Sequence, residues 1–555
     1  MRPVRPAGPV RYCTAALLAI SLGACTRIGD VSDTSTTHNP WTRPGVLTYA
    51  EFQDPPKLDP ILAASSVVGD LSMFLFSYTV RYDDKAQPVA DALIEVPTIA
   101  NGDVSKDGLT LTYKLRPNIR WHDGVPMTSK DLWFTWQCVM NPHNNVVTTD
   151  GYRDIASIDY HDPHVAVIHM KKIYAPFLQQ LFGVNGNAAI LPEHLLAKYN
   201  DDKGSFNTAP YQSAPIGSGP FKFVSWQRGA SVRMEVNPDF YLGRPKLNEV
   251  IFKIVPDENT MVTQLRTHEL DMAVHGSGTL WPQYRSIANV TALAPPIYTY
   301  DHLDFNLRRP LFIDVRVRRA LAYAIDRRAI VANIWHGLGT LSDTDESPIL
   351  GTAYTPETMH YPYDPAKGKA LLDAAGWHVG PDGIRVRGGE RLSFNLQTQV
   401  ENTSARAIQA EVQAQWHNIG VEAIVKNAPT SLFYDNTTTG ILQGGHYDAA
   451  IFAWYAAADP DDSAIYSSEN FAPHGQNALF WNNQKATAAL SDALATIDWN
   501  RRKRDYQAFQ REFASDVPSI IFEFRNEPVV YNNDLKGFTA SPVISPFWNP
   551  WNYSI

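Results

Sequence analysis

The run Leu109 to Trp136, LTLTYKLRPNIRWHDGVPMTSKDLWFTW, decides how the rest of the chain is read. Residues 110–115 alternate in polarity, which predicts a half-buried strand. Arg116-Pro117-Asn118 stops it, Ile119-Arg120-Trp121 resumes extended chain, and His122-Asp123-Gly124 is a tight turn. Thr128 is placed to cap a helix, with Asp131 three residues on at the helix's positive end. Leu132, Trp136, Val139 and Met140 recur at helical spacing before Asn141-Pro142 ends the run. A strand, a turn and a capped helix make a rigid wall element, with no catalytic geometry.

The motif Y-K-L-R-P … W-H-D-G-V-P-M-T-S-K-D-L resembles bacterial extracellular solute-binding proteins of family 5, receptors of ABC importers for peptides and other solutes. Further stretches match that family in order. They are Ile216–Phe223 (IGSGPFKF), Asn237-Pro238-Asp239-Phe240-Tyr241, Pro310–Asp326 (PLFIDVRVRRALAYAID) and Tyr363–Trp377 (YDPAKGKALLDAAGW). In IGSGPFKF the glycines permit a close backbone approach and Pro220 fixes the turn. No helix with Lys-Ser/Thr follows, so this is not a phosphate loop.

The 555 residues exceed one core and predict two to four domains. A 44% hydrophobic and 19% charged composition is that of a globular protein. Net charge is −9 with no long basic block, which argues against nucleic acid as a partner. Arg316, Arg318, Arg319, Arg327 and Arg328 alternate with apolar residues and predict a solvated helix face. Of three cysteines only Cys138 lies in the body, so neither a disulfide framework nor a thiolate metal cluster can form there.

Arg2, Arg5 and Arg11 precede the short apolar run CTAALLAISLGA at 13–24, the layout of an export signal too short to span a bilayer comfortably. Leu22-Gly23-Ala24-Cys25 resembles a lipobox, which implies cleavage before Cys25 and its lipidation. Ordinary cleavage, with Cys25 incidental, is the alternative. Residues 26–45 are polar and Ser/Thr-rich, a tether rather than a folded segment.

The family resemblance implies an α/β, two-lobed periplasmic-binding-protein-like fold of type II, in its large three-domain variant, with a hinge and an interlobe ligand cleft. The expected division is 1–25 signal, 26–45 tether, 46–82 with 212–299 and 520–555 as the first lobe, 83–211 as an insert, and 300–519 as the second lobe. The resemblance also places Glu51 and Phe52 on a cleft-lining strand. It places Trp454, Tyr455 and Asp459 near the ligand's amino terminus. The alanines at 456–458 depart from the peptide binders, making Asp459 the first acid after the aromatics. Either it pairs with a ligand amine or no ammonium is read there.

No Gly-x-Ser-x-Gly elbow, zinc helix or Walker motif occurs, and no catalytic residue, metal or cofactor is expected. The expected function is capture of peptides by a monomeric, lipid-anchored envelope receptor for an ABC permease. The alternatives are a non-peptide solute such as an oligosaccharide or metal chelate, a ligand-sensing lipoprotein, and an exported hydrolase.

Overall fold

The computed structural model describes residues 38–63, 65–184, 188–435, 437–473, 475–543 and 545–555. The export segment and Cys25 lie outside them. Among the described residues no helix is long and apolar enough to cross a membrane.

The first body is built on a seven-stranded sheet. Its order is Val290–Leu293, Val529–Asn532, Met272–Ala273, Val46–Glu51, Glu249–Ile254, Ser231–Val236 and Phe221–Gln227. Val46–Glu51 runs parallel to both of its neighbours. Its VLTYA run is covered on both faces, the continuous burial that a central parallel strand demands. Thr48 is fixed by Asp271, whose Oδ2 accepts its N–H at 2.9 Å.

Residues 110–170 form a three-stranded sheet, ordered Thr110–Lys114, Val165–Met170, Ile155–Asp162. Leu111 and Tyr113 point inward from the first strand, as the alternation requires. The helix Ser129–Met140 packs on this sheet, and Asp131 Oδ2 accepts the Thr128 N–H at 2.8 Å. Leu111, Trp121 and Leu132 belong to the same apolar core as Leu47 and Phe252, so the insert shares the first body's interior.

Two motifs that stood apart in the chain meet here. His122 N–H donates to the Gly217 carbonyl at 2.8 Å, Gly217 N–H donates to His122 Nδ1 at 3.2 Å, and His122 Nε2 donates to the Gly219 carbonyl at 3.0 Å. Burial pushes the His122 pKa down to about 4, so the ring stays neutral and can accept at Nδ1. A Cβ on Gly217 would stand 1.9 Å from the Leu75 carbonyl oxygen. That closeness is why no larger residue fits.

The second body carries a six-stranded sheet, ordered Gly339–Thr340, Ser519–Asn526, Pro296–Phe305, Ala449–Tyr455, Ser393–Gln397 and Glu422–Val425. Pro296–Phe305 lies antiparallel to both of its long neighbours. Ser519–Asn526 was expected to open the first lobe's return at 520, and 296–299 to close its middle segment. Both pair in the second sheet instead, because Pro296–Phe305 and Ser519–Asn526 hydrogen-bond along most of their length. The chain therefore crosses between bodies at 294–295 and 527–528. The crossings are tied together: Asn526 Nδ2 donates to the Ala294 carbonyl at 3.1 Å, and Glu527 N–H to the Pro295 carbonyl at 3.0 Å.

The arginine-rich helix Val315–Tyr323 differs from expectation at its core-facing edge. Arg318 and, just after the helix, Arg327 are buried. Arg318 donates to the carbonyls of Phe312, Asp516 and Val517. Arg327 donates to those of Ser342 and Ile521. They are internal ties between helix ends and strands rather than a solvated face.

Candidate functional site

The last residues of Ala449–Tyr455, still paired with Pro296–Phe305, line a cavity of about 790 Å³ between the bodies. Trp454, Tyr455, Tyr298 and Tyr434 supply aromatic wall, while Ser66, Gln180, His275 and Glu527 supply polar groups. The volume falls in the range of small-molecule sites, and a mainly apolar wall with few polar groups is the pattern of such sites. A second cavity, of about 320 Å³, lies on the other side of His275 and Glu527, which border both. Phe52, Trp335 and Arg525 line it, as does the Asn402 end of the helix Thr403–His417.

The sequence-derived residues are distributed unevenly over this site. Trp454 and Tyr455 line the larger cavity, and Tyr455 is 62% exposed to it and to solvent. Phe52 lines the smaller one. Glu51, the last residue of the central strand, lines neither cavity and is fully buried. Asp459 lies outside both linings. Arg502 Nη1 and Nη2 donate to its two carboxylate oxygens at 2.7 and 2.6 Å, and its own N–H donates to Gln179 Oε1 at 2.9 Å. An internal guanidinium thus occupies the acid, while the small residues Ala456 and Ala457 line the cavity.

Sequence reasoning missed His275, Glu527 and Arg525. His275 Nδ1 is 2.7 Å from Glu527 Oε2, and its Nε2 is 3.1 Å from Asp70 Oδ2. Burial opposes a charge on the ring, but Glu527 and Asp70 outweigh it and hold the imidazole well above its ordinary pKa. Arg525 donates twice to the buried Asp301, at 2.6 and 2.7 Å, and lies over the Trp335 ring. No motif marks these residues. They meet because His275 follows a strand of the first sheet and Arg525 and Glu527 flank the second crossing.

Two α/β bodies joined by paired crossings, with an aromatic-walled cavity between them, define a two-lobed solute receptor. This chain belongs to the bacterial extracellular solute-binding proteins, family 5: the family model described as "Bacterial extracellular solute-binding proteins, family 5 Middle" matches residues 92–474. That is a family of binding proteins, not of enzymes. Over 536 residues the chain is 26% identical to the oligopeptide-binding protein AppA of Bacillus subtilis, covering 95% of each. It is 26% identical over 467 residues to the glutathione-binding protein GsiB of Salmonella typhimurium, covering 83% of this chain and 85% of that one. Among solved structures, NikZ from Campylobacter jejuni in complex with Ni(L-His) superposes with a TM-score of 0.79 at 26% identity, covering 93% of this chain and 100% of that chain. Bacillus subtilis AppA in complex with a nonapeptide gives 0.77 at 24% identity, covering 92% and 99%, and so shares the fold.

Proposed function

We propose that the chain captures short peptides in the interlobe cavity and hands them to a membrane permease. The observation that carries this reading is the larger cavity, where aromatic walls meet the small residues Ala456 and Ala457, which leave room for an extended ligand near the strand end. Aromatic faces take apolar side chains, and main-chain pairing to an extended ligand is indifferent to its sequence. The match to a peptide-binding relative over nearly the whole of both chains supports it. Paired crossings suit closure of one body on the other around the bound ligand.

One observation favours a second reading, a solute without a free ammonium group. Asp459 is engaged by Arg502, and the cavity wall at 456–457 is alanine, with no acid. Thermal melting of the protein with defined peptides, free and N-acetylated, tests both. A peptide present at about 100 times its Kd should stabilise the fold by about 2.7 kcal/mol. Trp454→Ala should weaken that binding by about 1–3 kcal/mol through the lost ring contact. Absence of any peptide-induced shift overturns the peptide reading, and a shift with N-acetylated peptides alone supports the second.

The lipid anchor is part of the proposal and rests on the Leu22-Gly23-Ala24-Cys25 motif. Cys25→Ser should move the protein from the membrane pellet to the soluble fraction. Continued pelleting would count against lipidation.

A further inference from the structure

Behind the wall between the two cavities, one donor atom each of Glu51, Asp70 and His275 come within 4.8 Å of one another. Three separate segments deliver them. Glu51 ends the central strand, Asp70 lies in the helix Ser66–Leu75, and His275 follows Met272–Ala273 at a φ of 55°. A positive φ is sterically unfavourable for a residue with a Cβ, so the fold holds this ring where it is against a local cost.

The charges around the ring do not balance. Glu51 and Asp70 have no exposed surface. Among the described residues, Glu51 Oε1 and Asp70 Oδ1 receive no N–H or O–H from another residue type, Glu51 Oε2 meets the Ser66 hydroxyl at 3.4 Å, and the Glu51 and Asp70 carboxyls stand close enough to share a proton. With all three ionised, Glu51, Asp70 and Glu527 would set three negative charges against one imidazolium, and burial together with Asp70 holds the Glu51 carboxyl well above the usual carboxylate range. Arg525, the neighbouring cation, already spends two bonds on Asp301. Buried carboxylates without a counter-charge are strongly unfavourable, so either a shared proton or a bound cation completes the group.

The disposition of His275 favours the cation. Glu527 holds Nδ1 at 2.7 Å, the outer-carboxylate arrangement that fixes the tautomer and orientation of a metal-ligating histidine. Nε2 is then turned toward Asp70. One imidazole and two carboxylates suit zinc and its first-row neighbours, whereas calcium takes six to eight oxygens.

We propose that Glu51, Asp70 and His275 Nε2 bind one divalent transition-metal ion, with Glu527 as the residue that positions His275. The ion takes the place of the Nε2 proton, which leaves to solvent. His275, Glu527 and Ser66 belong to the cavity wall, so the ion would lie directly behind the surface that a ligand meets.

The test uses chelator-treated protein with no peptide present, so it reports on this site independently of the peptide reading. Titration with Zn²⁺ by calorimetry should show one saturable equivalent and a rise in melting temperature. Glu51→Gln and His275→Gln should abolish both. Glu527→Gln, which leaves all three ligands in place, should weaken binding by about 10–100-fold. Circular dichroism of each variant checks that it is folded. The proposal is overturned if the wild-type protein takes up no zinc saturably, leaving a shared proton as the answer. It is equally overturned if uptake is unchanged in both ligand variants, which would place the zinc elsewhere.

Discussion

Asp459 illustrates how the partner of an acid decides its role. Read along the chain it follows two aromatics and stands where a ligand amine could be met. In space Arg502, 43 residues later, takes both of its oxygens. Asp459→Asn should therefore cost stability, up to about 3 kcal/mol for breaking a mostly buried pair, read by urea unfolding. It should weaken free and N-acetylated ligands equally. A loss confined to free-amine ligands would return Asp459 to the ligand. Trp454 was reached through the family resemblance rather than from its own local pattern, and it lines the larger cavity. Arg318 and Arg327 were not legible, because the carbonyls they tie lie far away in the chain. Buried Asp345 and Glu346 were equally silent in the sequence. Burial pushes both up to about 8, with Glu346 adding to the shift at Asp345 and Asp462 and Asp459 to that at Glu346; Arg502 is held by Asp459. Between a carboxyl's ordinary pKa of about 4 and these values the folded state holds more protons than the unfolded one, so stability falls as pH rises through that window. Asp345→Asn should lose less melting temperature between pH 5 and pH 9 than the wild type. An identical slope would show that Asp345 does not titrate in that range.

At the scale of elements, periodicity and punctuation identified most pieces but not their contacts. The strand Thr110–Lys114 and the helix Ser129–Met140 follow from alternation and from the cap at Thr128. The apolar stretch from Leu71 to Thr79 is only partly helical, since the helix spans Ser66–Leu75. The apolar residues after it are extended because Tyr78 N–H is taken by Asp91 Oδ2 and Thr79 N–H by the Phe182 carbonyl. An apolar run alone cannot separate those outcomes. The glycines of IGSGPFKF announced a close approach without saying to what. The partner is the end of that helix, since a Cβ on Gly217 would stand 1.9 Å from the Leu75 carbonyl oxygen. Gly217→Ala should then destabilise by about 1–3 kcal/mol or more through overpacking, measured by urea unfolding. A neutral result would mean that the helix end can yield.

For the whole molecule, the order of the family motifs made the two-lobed class readable from sequence. The exact crossings were not, because Ser519–Asn526 reads equally well as a strand of either sheet. Pairing with Pro296–Phe305 decides it and leaves only short segments to join the bodies. Those segments place Arg525 and Glu527 beside the cavities, so the hinge and the ligand wall are one structure. The charged centre of the site is thus a product of topology, assembled from positions 51, 70, 275, 301, 525 and 527, and no local motif could have revealed it. Capture of peptides between the bodies is tested by native mass spectrometry of the protein incubated with an equimolar mixture of short peptides. One-to-one complexes are expected whose released mass fragments as peptide, spread over many sequences and diminished in Trp454→Ala. Retention of a single non-peptide mass, or no peptide complex at all, would contradict it.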